Sequence, residues 1–359
     1  MFIELNIETV FNFTSIVLSA YIGIYLIFNK LGNRKANFFL GGYLILTSLS
    51  VLGGELEYIT DSDLFNLVFT PLLSVYLPIT VLFYYSLAIT NRYKSEARKY
   101  RWLLIPVIVE ILFQYIPFSI NEDTLFLEAS NDILLLFSYP FSLFIYALVL
   151  IQLKKHNDNI LTLFSSIEDK ELNWLKHLIM INVWFMIIWI IDDSLMFIIG
   201  ENSVSEFISG LSLFATFITI IWIGFAGTKQ PQIFDSIIKT SSSKKEQPTT
   251  ITDQNKFAEI KKRIEEENLF TDTNLSLKEL AQILEIRDKE LSRLINQCYE
   301  NNFFHFINSY RVNYFKELMK NPKNKNLSIV GLSMEAGFKS KSTFYTAFKK
   351  IEGKTPTSY

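Results

Sequence analysis

Residues 276–294 have the sequence SLKELAQILEIRDKELSRL, in which two short apolar patterns with helical spacing are separated by a break at 285–287. Ser276 followed by Glu279 forms a capping box, which predicts that the first helix begins here. The second helix, predicted over 288–298, buries one apolar stripe. Its opposite side carries polar and basic side chains, namely Lys289, Ser292, Arg293 and Asn296. Two short helices joined by a tight turn, with a basic outer face on the second, predict a helix-turn-helix motif.

The same two-helix pattern returns near the C-terminus. A longer helix is predicted over 303–320 and ends at Asn321 and Pro322, because proline cannot continue a helix. A further short helix leads to Gly337, since glycine favours the left-handed C-cap, and Ser340 then caps the last helix. The outer face of this last helix carries Lys341, Ser342, Thr343, Thr346 and Lys349. The repeat predicts two helix-turn-helix motifs within one domain.

The string GFKSKSTFYTAFKKIEGKTPTSY, residues 337–359, resembles the C-terminal signature of the AraC/XylS family of transcription regulators. The quoted stretch 276–294 and the segment FFHFINSYRVNYFKELM resemble that family's first motif and its connecting helix. The resemblance implies that both recognition helices enter successive major grooves of double-stranded DNA. It places the two outer faces against bases, with Lys349 on phosphate. The chain departs from the family at Glu285, where glycine is common, and at Gly331, which weakens its helix by about 1 kcal/mol relative to alanine.

Upstream of the two motifs, residues 256–267 place three apolar side chains on one stripe of a predicted helix. The preceding residues 239–255 are polar and rich in serine and threonine, a composition typical of flexible linkers. We therefore predict a flexible cytoplasmic linker over 229–255 and a DNA-binding domain over 256–359. Cleavage within the linker, releasing a soluble regulator, is an alternative that the composition leaves open.

The first 228 residues are dominated by long apolar runs. A bilayer core requires about 20 apolar residues per helix. Seven stretches meet this length, at 9–29, 37–55, 65–90, 102–120, 133–153, 174–199 and 207–227. They are apolar on all sides and lack the alternation of a β-barrel strand. We therefore predict an all-α protein, with a seven-transmembrane-helix bundle over 1–228 followed by a soluble seven-helix domain that holds the two helix-turn-helix motifs.

Basic residues predict the orientation of this bundle. All 12 Lys and Arg residues of 1–227 fall in or beside the connections after the first, third and fifth stretches, whereas the other connections carry acidic charges alone. By the positive-inside rule, the N-terminus lies outside and the C-terminal domain lies in the cytoplasm. Together with the family resemblance, this predicts a multi-pass protein of the bacterial inner membrane.

Four polar residues within the spans are candidates for a ligand or coupling site, namely Glu110, Asn182, Asp192 and Asp193. Carboxylates inside a bilayer are costly and usually face the bundle interior or water. The alternative interpretation is a structural polar contact. For Asp193, near the outer end of its helix, a side chain that reaches water is a further alternative.

Composition and motifs limit the remaining functions. Cys298 is the single cysteine, so no intrachain disulfide can form. The sequence has no HExxH, GxxxxGK[ST] or nucleophile-elbow motif, so we predict no enzymatic activity, catalytic residue, metal site or cofactor. The predicted function is a membrane-bound one-component transcription regulator. Its expected partners are double-stranded DNA, membrane lipid, a second copy in a homodimer, RNA polymerase and a small-molecule or peptide signal. The alternative is a transporter or membrane enzyme with an accessory DNA-binding tail.

Overall fold

Helices account for almost all the regular structure that the computed structural model describes. The described residues are 7–30, 32–59, 74, 76–120, 124–200, 203–228 and 250–359. Within them, one isolated bridge joins Phe164 to Ser276 and no strand is formed, so the predicted all-α class is confirmed. The chain divides into two compact units. The first comprises Met1–Leu153 and Leu172–Ile233, and the second comprises Lys154–Glu171 and Phe234–Tyr359.

Most of the described helices in the first unit are long and apolar. Its described α-helices are α1 (Ile7–Phe28), α2 (Arg34–Ile59), α3 (Tyr76–Ile89), α4 (Tyr93–Glu96), α5 (Ile105–Ile120), α6 (Thr124–Leu163), α7 (Asn173–Ile199) and α8 (Ser203–Thr228). A 3-10 helix, Ala97–Leu104, precedes α5. Helix α6 continues into the second unit and contains Pro140. In a membrane helix, neighbouring groups satisfy the carbonyl that such a proline leaves unpaired.

Helices α1 and α2 pack closely because glycines face each other where they cross. A Cβ atom on Gly41 would lie 2.5 Å from the carbonyl oxygen of Gly23, so neither position tolerates a side chain without a shift. Hydroxyl groups tie the same two helices together: Ser19 donates to the Leu44 carbonyl at 2.7 Å, and Ser48 donates to the Ile16 carbonyl at 2.9 Å. Small residues and interhelical hydrogen bonds are typical of helix pairs in membranes.

The number of membrane-length helices differs from the seven predicted spans. The described residues contain four helices that are long and apolar enough to cross a membrane, at Thr9–Phe28, Arg34–Gly53, Leu136–Leu163 and Asn173–Asp192. Two shorter apolar helices lie at Tyr76–Ile89 and Phe214–Gly227. Much of the predicted third stretch, 65–90, lies outside the described residues, and the fourth begins with a 3-10 helix. The seven-span bundle therefore stays a prediction.

The second unit contains α9 (Ile251–Glu266), α10 (Leu277–Ile283), α11 (Asp288–Leu294), α12 (Phe303–Lys320), α13 (Ile329–Glu335) and α14 (Lys341–Glu352). Residues 250–359 therefore hold six α-helices rather than the predicted seven, because the remaining turns are 3-10 or π segments.

Helix α9 begins five residues before the predicted position. A reciprocal capping box between Thr250 and Asp253 starts it within the stretch that composition assigned to the linker. Residues 229–249 of that linker lie outside the described residues.

Helix α12 is shared by two apolar cores in the second unit. Its N-terminal half, including Phe303, Phe306 and Ile307, packs with the buried residues of α9, α10 and α11. Its C-terminal half, including Val312 and Phe315, packs with α13 and α14. The two helix pairs are therefore held by one long helix that contributes to both cores.

Candidate nucleic-acid interface

Helices α10 and α11 form the first helix-turn-helix pair. The predicted capping box is confirmed: the Ser276 hydroxyl accepts from the backbone N–H of Glu279, whose carboxylate accepts from the backbone N–H of Ser276. The turn between the helices passes through Glu285, whose φ of 58° lies in the left-handed region. The backbone N–H groups of Glu285 and Ile286 donate to the carbonyls of Gln282 and Ala281, which closes the helix end. The turn therefore forms with glutamate at the position where the family commonly has glycine.

The predicted outer face of the first recognition helix is accessible to solvent. Lys289 and Asn296 are exposed, and Ser292 and Arg293 are partly exposed. The helix changes to a π segment at Ile295–Tyr299, so Asn296 lies beyond the regular part of α11.

Arg293 has protein partners rather than a free guanidinium. Its Nη2 lies 2.6 Å from the Asp253 carboxylate on α9, and its Nη1 donates to Gln297 at 2.8 Å. The hydrogen bond from Arg293, together with those from Thr250, holds the pKa of Asp253 well below its usual range. The guanidinium is still 37% exposed, so a nucleic acid could exchange for these partners.

Helices α13 and α14 form the second pair. Ser328 and Ser340 cap them, each accepting from a backbone N–H three residues later. Gly337 ends the first helix with a φ of 91°, and a Cβ atom there would lie 2.7 Å from the carbonyl oxygen of Phe270. Glycine is therefore favoured at this C-cap for two reasons: the backbone is left-handed, and the loop at Phe270 leaves no room for a Cβ atom.

The outer face of α14 divides into an exposed part and one buried residue. Lys341, Ser342, Thr346 and Lys349 are exposed, as expected for a surface that contacts DNA. Thr343 is 4% exposed. Its hydroxyl donates to the carboxylate of Glu168, which also accepts from the Ser340 hydroxyl at 2.5 Å.

Glu168 belongs to a segment that sequence analysis assigned to the membrane half. Phe164–Glu171 connects α6 to α7, yet Lys154–Glu171 is part of the second unit. We call residues 164–171 the docking segment. Beside Glu168, Asp169 pairs with Lys339 at 2.5 Å, and the hydrogen bond from Lys339 lowers the pKa of Asp169. The sequence contains one indication of these contacts: Glu168 and Asp169 are adjacent acids in a connection that otherwise stands out for its lysines.

Arg311 on α12 is a second residue that sequence analysis did not single out. Its side chain has no exposed surface, and burial lowers the pKa of its guanidinium to about 10. Five hydrogen bonds satisfy it, to the carbonyls of Phe270, Asp272 and Ser165, the Ser165 hydroxyl and the Asn308 side chain. Arg311 therefore joins α12 to the loop before α10 and to the docking segment.

The polar candidates of the first unit fall in different environments. Glu110 is buried and accepts a hydrogen bond from Ser74, and Asp192 is buried with its Oδ1 atom lacking a hydrogen-bond partner. Asn182 donates to the Leu178 carbonyl at 2.8 Å. The side chain of Asp193 lies outside the described part of the structure.

A cavity of about 300 Å³ lies within the first unit. It is lined by apolar side chains together with hydroxyl and amide groups, including Ser15, Ser19, Thr47, Ser74 and Asn182. Several of these groups already donate to backbone carbonyls, for example Ser19 on α1 to Leu44 on α2, so their hydroxyl oxygens remain as acceptors. Asn182 and Ser74, the hydrogen-bond partner of Glu110, both line the cavity, whereas Asp192 is not among its lining residues.

Residues 280–359 match a family model described as a helix-turn-helix domain, of the AraC type. The match begins within α10 and covers the whole of α11, α12, α13 and α14, and it supports a DNA-binding transcription regulator of the AraC type. No curated protein and no solved structure matches the chain.

Proposed function

We propose that the chain is a membrane-bound one-component transcription regulator that binds promoter DNA sequence-specifically through its two helix-turn-helix motifs. The observation that carries the proposal is the coincidence of the family match at 280–359 with two helix pairs that share α12. In each pair, the second helix carries a polar outer face and packs its apolar side on α12. Such a helix is the element that enters the major groove.

The proposed base contacts follow from side-chain chemistry. Lys289, Ser292, Arg293 and Asn296 contact bases from α11 and the π segment after it, and Lys341, Ser342, Thr343 and Thr346 contact bases from α14. Arginine and lysine donate to guanine, and asparagine pairs with adenine. Lys349, more than two turns into α14, contacts phosphate and positions the domain without specifying sequence. Two motifs on one face of DNA contact major grooves about 34 Å apart.

The proposed membrane half has seven spans, with the N-terminus outside and the DNA-binding domain in the cytoplasm. Its support is the distribution of lysine and arginine, together with the four membrane-length helices. Large apolar side chains face outward on these helices, for example Tyr21 at 69% and Phe28 at 78% exposed, as expected for contact with lipid. We further propose that the cavity beside Asn182 receives the signal, and that the regulator acts on RNA polymerase as a homodimer.

The test uses the full-length protein in lipid nanodiscs and a random library of duplex DNA. We expect the protein to enrich a motif with two parts, separated by about one helical turn. Lys341→Ala should change the enriched bases in one part and leave the other unchanged, since lysine donates to base edges. Lys323→Ala is the matched control, because Lys323 is exposed outside both recognition helices and loses the same charge.

Two results would contradict the proposal. One is the absence of any enriched sequence, with the wild-type protein and with Glu168→Gln alike, under conditions in which both remain folded. The other is an enriched motif that Lys341→Ala and Lys323→Ala alter equally, because a general loss of positive charge would then explain the binding.

A transporter with an accessory regulatory tail is the second candidate. It is favoured by the two buried carboxyl groups, Glu110 and Asp192, since buried acids in membrane helices mark substrate and proton pathways. Uptake of a substrate into proteoliposomes that hold the full-length protein, lost in Asp192→Asn, would favour it over the regulator.

A further inference from the structure

We infer that the docking segment, residues 164–171, is an autoinhibitory element that occupies the DNA-contacting end of the second recognition helix. The inference rests on the proposed function, because it concerns how access to that same surface is regulated. Three sets of contacts support it: an anchor at Ser165, a carboxylate at the start of α14, and an ion pair at Lys339.

The anchor fixes the segment on the second unit. Ser165 is fully buried, and its hydroxyl donates to the Leu275 carbonyl at 2.7 Å. Its carbonyl accepts from Asn308 at 3.1 Å and from Arg311 at 3.2 Å, and its hydroxyl accepts from Arg311 at 3.0 Å. The hydroxyl and the carbonyl of Ser165 are therefore both fully hydrogen-bonded to the second unit. These bonds hold the segment in one register.

The anchored segment places Glu168 at the N-terminus of α14. Its carboxylate accepts from the hydroxyls of Ser340, the N-cap residue, and Thr343, in the first turn. The N-terminus of a helix attracts anions, because its first backbone N–H groups are unpaired and its dipole is positive there. Glu168 therefore occupies the position that suits a DNA phosphate.

Bound DNA and this carboxylate are mutually exclusive. The N-terminal residues of a recognition helix are the ones that contact base edges in the major groove. Thr343, which the sequence predicts to contact bases, is covered in this arrangement, and Lys339 is neutralised by Asp169. The carboxylate of Glu168, which contacts only neutral hydroxyls of α14, also repels the approaching phosphates. The second motif can therefore bind its groove only after residues 168 and 169 have moved away.

The docking segment also provides a route by which a membrane signal reaches this surface. It is joined directly to α6 and α7, which contain the candidate spans Leu136–Leu163 and Asn173–Asp192. A displacement of either helix end pulls on the segment through a few residues of backbone. The Lys339–Asp169 pair is largely exposed and contributes little, so a modest displacement suffices to release it.

The test compares Glu168→Gln with wild type in the full-length protein in nanodiscs. Asp158→Asn is the matched control. Asp158 is exposed on α6, outside the docking segment but within Lys154–Glu171, the part of the second unit that contains it, and the change also removes one negative charge. The measured quantity is the Kd for a duplex selected from a random library. We expect roughly tenfold tighter binding for Glu168→Gln, because the hydrogen bonds from Ser340 and Thr343 lose their charge assistance in the inhibited state, and no change for Asp158→Asn.

A cross-linking variant keeps the inference testable should Glu168→Gln disturb folding. In a Cys298→Ser background, Asp169→Cys and Lys339→Cys are joined by a short bismaleimide. We expect efficient cross-linking and a large loss of DNA affinity relative to the same protein without the reagent. Failure to cross-link, or equal affinity with and without the cross-link, would overturn the inference.

The outcomes also separate the inference from the proposed function. If wild type binds a selected duplex and Glu168→Gln binds it with equal or lower affinity, autoinhibition is wrong and the regulator stands. If neither wild type nor Glu168→Gln enriches any duplex, the proposed function itself fails, and the inference fails with it.

Discussion

At the scale of single residues, the second unit depends on a buried guanidinium. Arg311 places all five of its hydrogen bonds on neutral acceptors, three of which are backbone carbonyls. A buried acceptor that loses its donor costs about 1–3 kcal/mol. The residue is therefore needed to position the loop around Asp272 relative to α12, although it has no surface on which to contact DNA.

We expect Arg311→Met to destabilise the second unit by about 3 kcal/mol, since several buried acceptors lose their donor together. Hydrogen exchange of peptides from 303–320 in the full-length protein measures this loss as faster exchange. Arg287→Met is the control, because Arg287 is exposed and the same atoms are removed. Equal exchange in the two variants would contradict the structural role of Arg311.

His305 gives the second unit a dependence on pH. Burial lowers its pKa below the usual 6.5, and the nearby Lys350 ammonium lowers it further; the ring Nε2 lies 2.7 Å from Lys350 Nζ. The unfolded chain therefore binds a proton near pH 6.5 that the folded chain does not bind. The stability contributed by His305 is complete above pH 6.5 and is lost as the pH falls through the folded pKa.

We expect the protection of peptides from 303–320 to decrease between pH 7.5 and about 5.5 in the wild type, after correction for the intrinsic exchange rate. His305→Gln should decrease less, because it removes the titrating ring. An unchanged dependence in that variant would assign the pH effect to other groups.

At the scale of elements, the turns of the two motifs are built differently. The first accepts Glu285 in the left-handed region, whereas the second requires Gly337, because the preceding loop leaves no room for a Cβ atom. The first turn therefore carries only conformational strain, and a substitution in the second would add a steric clash.

We expect Gly337→Ala to destabilise the second unit by about 3 kcal/mol, which combines left-handed strain with the shift needed to relieve contact with Phe270. Gly353→Ala is the matched control, because Gly353 also has positive φ but nothing lies within 4 Å of its Cβ position. It should cost about 1 kcal/mol. Hydrogen exchange of peptides from α13 and α14 would measure the difference, and equal costs would show that sterics at Gly337 are unimportant.

Local sequence patterns predicted the positions of the helices in the second unit better than they predicted which distant residues those helices contact. Helix α12 runs over Phe303–Lys320 as predicted, and the capping residues Ser276 and Ser340 begin their helices, because these signals lie within a few residues of each other. The π segment after α11 and the early start of α9 were not predicted. The partners of the second recognition helix were also missed, because Glu168 and Ser340 are 172 positions apart and no periodic pattern relates them.

At the scale of the whole molecule, the two halves of the chain differ in the sign of their net charge. Residues 1–227 carry more acids than bases, and the remaining residues carry more bases than acids. The positive charges of the first half lie in the connections that, in the proposed topology, share the cytoplasm with the DNA-binding domain. The docking segment is one of these connections, so topology and regulation depend on the same assignment.

Labelling of single cysteines with a membrane-impermeant maleimide tests this topology in intact cells. In a Cys298→Ser background, we expect Glu57→Cys and Glu128→Cys to be labelled, because the acidic connections lie outside. Lys94→Cys and Asp158→Cys should be labelled only after permeabilisation, because the basic connections lie in the cytoplasm. The wild-type Cys298 should also require permeabilisation, and it should react slowly because burial raises its pKa. Positions 57, 94 and 128 flank the two stretches, 65–90 and 102–120, that are not among the four membrane-length helices. Labelling of Lys94→Cys in intact cells would remove those two spans and would contradict the seven-span topology.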